Sequence, residues 1–414
     1  VNSIKRRVAV IVDEFTLSNI VDYWDVIEID FFDDLNFLKL FKPEILFVES
    51  VWRGVNNSWQ GLINNKLGRL TEVVEFCKMQ GIPTVFWNKE DPIHFEDFTD
   101  RCNVAGLFDY IFTTEIDCIG DYKKKYDHNN CYFLPFFYNE VNFNMAYSLG
   151  KNSTFFAGSY YRKYVKRNTS FAKITSYLDS IGEDYVIFNR HSLSEDVDFK
   201  FPDSYKKHLR DAVDSKDIHN IYKSFRNCIN VNTVVNGQSM FARRVLESLA
   251  CGTRIYSNYS RSFEVLLPNF VSYLDDEIIQ ITSSGVNRII QRFSSSNVLS
   301  YLENIVLESA VTEDFGLPSA LTDYGRITLK RPGACICFTS GVSTSEFVTF
   351  SIDYDTISVK SILDFSCHAY INLMPSIKVE NLSNLSVIFD SESNDILLDV
   401  WGFDNYGKDI LRRI

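Results

Sequence analysis

The residues best placed to do chemistry lie in MFARRVLE, positions 240–247, where Arg243, Arg244 and Glu247 follow a polar loop. Met240, Arg243, Arg244 and Glu247 share one helical face, and Ala242, Val245, Leu246 and Leu249 recur at the same spacing on the opposite face. The second set is a stripe to be buried. The first leaves two guanidinium groups and a carboxylate free to hold a diphosphate and a ribose. The alternative is a solvated face with an Arg243–Glu247 pair, which runs in the weaker helical order. Ser239 is the expected N-cap, and Gly252 stands where a helix stops. The whole stretch 231–258 reads as strand, polar loop, helix and strand. In an α/β sheet such a helix starts beyond the carboxyl end of a strand, where ligands bind and phosphate is attracted.

A second group gathers at the ends of apolar runs nearer the start. Asp13 and Glu14 follow RRVAVIVD, Trp52 and Arg53 follow PEILFVES, and Glu90, Asp91 and His94 follow PTVFW. Carboxylates beside a histidine can act as a general base toward a hydroxyl. The alternative is that Asp91-Pro92 opens a turn and His94 is a hydrogen-bonded structural residue. A third group follows TFFAGSYY. Gly158 and Ser159, with Arg162 or Arg167 nearby, form a phosphate cradle, and DYVIFNR ends in Asn189 and Arg190. No GxGxxG follows the first strand, and Asp13 and Glu14 would repel a phosphate there, which removes a simple dinucleotide-binding reading.

These residues need a scaffold of alternating strands and helices. Apolar runs at 6–13, 43–50, 83–87, 108–114 and 131–137, with a helical stretch at 65–79, predict a doubly wound α/β domain over 1–148. A second α/β domain is expected over 149–317, with strands at 154–161 and 184–190 and helices near 217–225 and 297–309. Past that point Val348, Phe350, Ile352 and Tyr354 alternate with polar residues. AYINL, LSVIF and DILLDVW follow, so 318–414 is expected to be an antiparallel β-sandwich. Tyr354 and Trp401 are its candidate sugar-stacking aromatics, with a structural or assembly role as the equal alternative.

At 414 residues the chain exceeds a single core, and 45% hydrophobic with 23% charged residues is ordinary for a globular protein. A net charge of −12 argues against nucleic acid as a partner. Neither a membrane-spanning run nor a signal peptide is expected from the residues given, and the chain begins with Val1, so either end can be a cut in a longer chain. The nine cysteines lack a CxxC pair, so a metal site is not expected and reduced cytoplasmic thiols are.

DEFT (13–16), LFVESVWRG (46–54), PTVFWNKEDPIHFEDF (83–98), FDYIFTTEIDCI (108–119), FFAGSYY (155–161) and MFARRVLESLACG (240–252) occur in that order. Together they resemble the CgeB-like family of bacterial GT-B glycosyltransferases over roughly residues 6–275. The resemblance implies two Rossmann-like domains facing a cleft, a nucleotide-sugar donor on the second and a carbohydrate or glycan acceptor on the first, without a metal. Donor binding is then expected at Gly158, Ser159, Arg190, Arg243, Arg244 and Glu247, with uridine as the base on family grounds. Acceptor binding is expected at Asp13, Glu14, Trp52 and Arg53. Asp91 is expected as the catalytic carboxylate, supported by Glu90 and His94. No cofactor is expected beyond the nucleotide sugar as substrate. Wider retaining GT-B enzymes carry two glutamates eight positions apart; Glu247 matches the second, but Ser239 stands at the first. The expected activity is sugar transfer to a bacterial surface glycan, in the cytoplasm. The competing expectation is an inactive GT-B scaffold that binds glycan through its β-rich domain. The basic tail KDILRRI leaves peripheral membrane attachment open.

Overall fold

A computed structural model describes residues 5–61, 66–144, 151–267, 271–273, 278–281 and 290–308, and beyond these seven strands between Arg326 and Asp399. The chain divides into two compact units, 1–315 and 316–414.

The first unit holds two α/β halves. The first half contains β1 (Arg6–Ile11), α1 (Glu14–Ile20), β2 (Trp24–Glu28), α2 (Asn36–Phe41), β3 (Ile45–Glu49) and α3 (Leu67–Met79). It continues with β4 (Thr84–Asn88), β5 (Tyr110–Thr113), α4 (Asp117–Tyr126) and β6 (Cys131–Phe133). The strands lie in the order β2-β1-β3-β4-β5-β6, every neighbouring pair parallel. Both faces of this sheet are covered, which is why its central strands are apolar without alternation. Ala9, Ile11, Leu46, Val48 and Phe86 pack against Leu70, Val73, Val74 and Cys77 of α3. Val8, Val10, Phe47, Val85 and Trp87 form the other face.

The second half contains β7 (Lys151–Gly158), α5 (Val165–Ser180), β8 (Tyr185–Asn189), β9 (Leu209–Arg210), α6 (Ile218–Ser224) and β10 (Phe225–Asn230). After these come α7 (Arg244–Ala250), β11 (Arg254–Asn258), α8 (Arg261–Leu266), β12 (Val271–Tyr273) and β13 (Ile278–Ile281). Its strand order is β12-β13-β11-β10-β7-β8-β9. The sheet is parallel from β9 to β11, while β13 runs antiparallel to both β11 and β12. The order reverses between β7 and β10, the switch point at which open α/β sheets take ligands.

A late helix, α9 (Ser295–Leu307), returns to the first half. Its stripe of Val298, Leu299, Leu302, Ile305 and Val306 completes the cluster around Val8, Val10 and Phe47. Ser294 caps it by accepting from the Asn297 N–H. The carboxylate of Glu140 accepts from the N–H groups of Ser295 and Ser296. The two halves are thus tied by the chain itself as well as by contacts.

Two sequence expectations change here. The strand β2 was not anticipated: it is an edge strand in which Asp25 is exposed and Glu28 half-buried, so it lacks an apolar run. Ser239 is not a helix cap, because α7 starts only at Arg244 and has Arg243 as its N-cap residue. The helix does stop at Gly252, whose φ of 76° suits glycine.

The second unit holds a three-stranded antiparallel sheet (Arg326–Lys330, Asp395–Asp399, Ser386–Asp390). Its other sheet has four strands, Cys335–Thr339, Phe347–Asp353, Thr356–Val359 and Lys378–Val379; the first three pair antiparallel, and the last runs parallel to the third. Tyr354, Trp401 and the tail 408–414 lie outside the described residues.

Candidate active site between the two halves

The carboxyl ends of both parallel sheets open onto one cleft of about 1190 Å³. Its first wall comes from the loops after β1, β3 and β4, and its second from those after β7, β8 and β10 together with α7.

The second wall is strongly cationic. Arg167, Arg190, Arg243 and Arg244 line it, and Arg53 reaches the same cleft from the first wall. Arg244 lies over the ring of Phe156 at 4.8 Å, and its buried Nη1 has no hydrogen-bond partner among the described residues. Gly158 makes this packing feasible: a Cβ there would sit 2.8 Å from Arg244 Nη2. The hydroxyl of Ser159 is likewise buried and without a partner. Arg167 donates to the Ser159 carbonyl at 3.1 Å, and burial, then the neighbouring Arg244, pulls it down to about 10. Burial also lowers Arg190; Tyr161 opposes this, while Arg243, Arg244 and Arg53 repel its charge further. Arg167 is buried, Arg243 and Arg244 are half-buried, and Arg190 is exposed within the cleft. Cations this close repel one another and, with a buried donor unused on Arg244, favour an anion between them.

Arg243 does not match the picture of a free guanidinium. Its Nε lies 2.6 Å from Glu247 Oε1, and Glu247 is buried. The contact is a close ion pair rather than a directed hydrogen bond, since Arg243 Nε finds no acceptor in line. Arg190 and Arg243 also sit over the same Phe15 ring, at 4.4 and 4.9 Å. Phe15 belongs to α1, so a side chain of the first half holds two arginines of the second. Ser215 donates to Glu14 beside it.

On the first wall, Asp13 is committed to structure. Its carboxylate accepts from the N–H groups of Trp52 (3.2 Å), Arg53 (3.0 Å) and Gly54 (2.8 Å). Burial opposes its charge, but Lys89 and those N–H groups outweigh it and hold the carboxyl below its usual range. Lys89 also reaches Glu49 at 2.8 Å, and Glu49 accepts from the Asp13 N–H at 2.5 Å and from Thr16. Asp13, Glu49 and Lys89 therefore shape the loop that carries Trp52 and Arg53. Trp52 stands partly exposed in the cleft, edge-on to His94 at 5.4 Å and to Phe98 at 5.9 Å.

Asp91 stands apart from the cleft, and this corrects its expected role as the catalytic carboxylate. It is fully buried and accepts from Asn88 (2.7 Å), Thr113 (2.6 Å) and Tyr122 (3.0 Å). Burial pushes its carboxyl up to about 7, against the hydrogen bonds from Thr113 and Tyr122. Its lone pairs point into the protein, so it cannot reach a hydroxyl in the cleft. Glu90 and His94 do line the cleft. His94 Nδ1 lies 2.7 Å from Asp97 Oδ2. That hydrogen bond holds Asp97 below its usual range; burial opposes it and Arg101 adds to it. Donation of Nδ1–H to Asp97 leaves Nε2 with its lone pair, the arrangement of an oriented general base.

Sequence reasoning missed Asp97, Glu49, Lys89 and Glu115. Only Asp97 had a readable signal, its i, i+3 spacing from His94. The partners of the other three come from separate strands and loops.

No protein-family model matches the chain, and no curated protein matches it. Among solved structures it is similar to the crystal structure of a GtfA/B complex, at 9% identity over 59% of this chain and 60% of that one, with a TM-score of 0.34. It is also similar to the structure of accessory secretory protein 1,2 and 3 in Streptococcus pneumoniae, at 11% identity over 66% of this chain and 53% of that one, TM-score 0.35. A third is the pneumococcal O-GlcNAc transferase GtfA in complex with UDP and GlcNAc, at 12% identity over 66% and 53% of the two chains, TM-score 0.33. The chain thus matches about half to three-fifths of the length of these proteins.

Proposed function

We propose that the first unit is a GT-B glycosyltransferase that moves a sugar from a nucleoside diphosphate, with uridine as the base, to a hydroxyl of a glycan acceptor. The observation that carries this reading is the cationic wall of Arg190, Arg243 and Arg244, with Arg244 Nη1 and Ser159 Oγ buried and unpartnered. It faces an acceptor wall bearing Trp52 and the His94–Asp97 pair. The domains are 1–148 for acceptor, 149–317 for donor and 318–414 as an accessory β-rich part.

In this reading the acceptor sugar packs on Trp52, and His94 Nε2 takes the proton of the attacking hydroxyl. The acceptor oxygen bonds to the anomeric carbon as the bond to the diphosphate oxygen breaks. The departing diphosphate gains negative charge, and fixed cations aimed at that charge lower the barrier most. Asp97 holds the imidazole and stabilises the imidazolium that forms. Asp13 shapes the acceptor loop. In this reading no metal enters the scheme, the acceptor belongs to a bacterial surface glycan and the reaction to the cytoplasm.

One observation favours a second reading, an inactive scaffold that binds glycan. Ser239, at the position of the first glutamate of retaining enzymes, donates its hydroxyl to the Thr114 carbonyl at 2.9 Å and is not among the residues lining the cleft. Titration with uridine diphosphate and then with its sugars separates the two: binding followed by release of free diphosphate supports the enzyme. Binding without turnover of any donor supports the scaffold.

A further inference from the structure

Glu115 follows β5 in the first half and is fully buried. Its carboxylate reaches into the loop that leads to Arg243 in the second half. Oε1 accepts from the Gln238 N–H at 3.0 Å, and Oε2 from Met240 at 3.1 Å and Ser239 at 3.4 Å. Three consecutive N–H groups thus converge on one carboxylate, as backbone amides do around a bound anion. Gly237 shows how closely the group is seated: a Cβ there would lie 2.2 Å from Glu115 Oε2. Ser239 completes the joint, donating to the Thr114 carbonyl and accepting from the Ile116 N–H at 2.8 Å.

The supports of Glu115 run back into the first half. Its N–H donates to Thr113 Oγ1 at 3.1 Å, and Thr113 donates to Asp91. The buried network that removes Asp91 from the cleft therefore also holds the backbone of the residue whose carboxylate grips the second half. On the other side, three residues separate Met240 from Arg244. Within them Asn232 Oδ1 accepts from the Ala242 N–H at 3.2 Å.

We propose that Glu115 is a positioning residue: by filling the amide pocket of residues 238–240 across the two halves, it sets where Arg243 and Arg244 stand in the cleft. The assignment of its effect to the donor rests on the proposed function; the joint itself does not. It also accounts for Ser239 at a position where wider enzymes carry glutamate. A second carboxylate in a loop already closed on Glu115 would be a buried like-charge neighbour.

The test uses the full chain with Glu115→Ala, which leaves the pocket empty and open to a small carboxylate. Hydrogen exchange of the 236–244 peptide should accelerate in the variant and slow again as formate is added. The dissociation constant for uridine diphosphate should rise, by about tenfold or more if a charge-assisted hydrogen bond to phosphate is lost, and recover with formate. Glu115→Gln keeps the volume but turns an amide NH₂ toward N–H donors, and serves if Glu115→Ala does not fold; its exchange should also accelerate. Unchanged exchange in a folded variant overturns the joint. Faster exchange with unchanged diphosphate affinity overturns the positioning role. Faster exchange rescued by formate, in a protein whose wild type binds no diphosphate, upholds the joint and removes the proposed function instead.

Discussion

Arg244 is held against the sheet by Phe156 and by the missing side chain of Gly158, with a buried nitrogen left over. A charge-assisted hydrogen bond to phosphate is worth roughly 1.5–3 kcal/mol. Arg244→Ala should therefore weaken uridine diphosphate binding about tenfold or more by calorimetry, and unchanged affinity would remove it from the site. His94 lines the first wall of the cleft. His94→Ala should lower kcat by about 10²–10⁴ with the melting temperature preserved; a change confined to KM would reduce His94 to a contact. Asp91 gives a different prediction, about stability. Its pKa rises from 3.8 to about 7 on folding, so between those values the native state keeps a proton that the unfolded chain releases. Its contribution to stability is present below the lower value, falls as pH rises through the interval and is flat above it. Urea midpoints for Asp91→Asn minus wild type should rise from pH 4 to 7 and then level; a pH-independent difference would contradict the buried, raised carboxyl.

At the scale of elements, strand ends position every proposed contact, and α9 locks the two halves through the first sheet. Leu302 is fully buried in its stripe. Leu302→Ala should cost roughly 2–5 kcal/mol in urea unfolding, the range for a buried leucine cavity, and a loss below about 1 kcal/mol would show that the helix relaxes off the sheet easily. Much of this framework was legible in the sequence. The apolar runs before Asp13, Ser50 and Asn88 mark buried parallel strands. The spacing in 240–247 announces a helix, but that helix starts only at Arg244, and Val245–Ala250 are all buried, Glu247 and Ser248 included, so the expected free polar face is absent. What stayed hidden follows from physics that spacing does not carry. The edge strand Trp24–Glu28 has no apolar run, and Ser239 serves a contact across the halves instead of a helix start. The inward turn of Asp91 is set by Thr113 and Tyr122, residues from the next strand and helix. The Glu115 joint pairs residues more than 120 positions apart.

For the whole molecule, a chain of net charge −12 gathers five arginines around one cleft, so the local field there opposes the global one. Phe15, Glu14 and Glu115 reach from the first half to the second, which couples the shape of the first wall to the arginines of the second. A ligand that binds both walls would be enclosed between fixed charges and a positioned base. The central claim is that this cleft cleaves a nucleotide sugar, and the most direct measurement is release of free nucleoside diphosphate from a panel of nucleotide sugars by wild type and Arg244→Ala side by side. The account predicts release from at least one donor, a uridine-linked one, and a loss of about tenfold or more in kcat/KM in the variant. Folded wild-type protein that neither binds nor turns over any donor in the panel would contradict it.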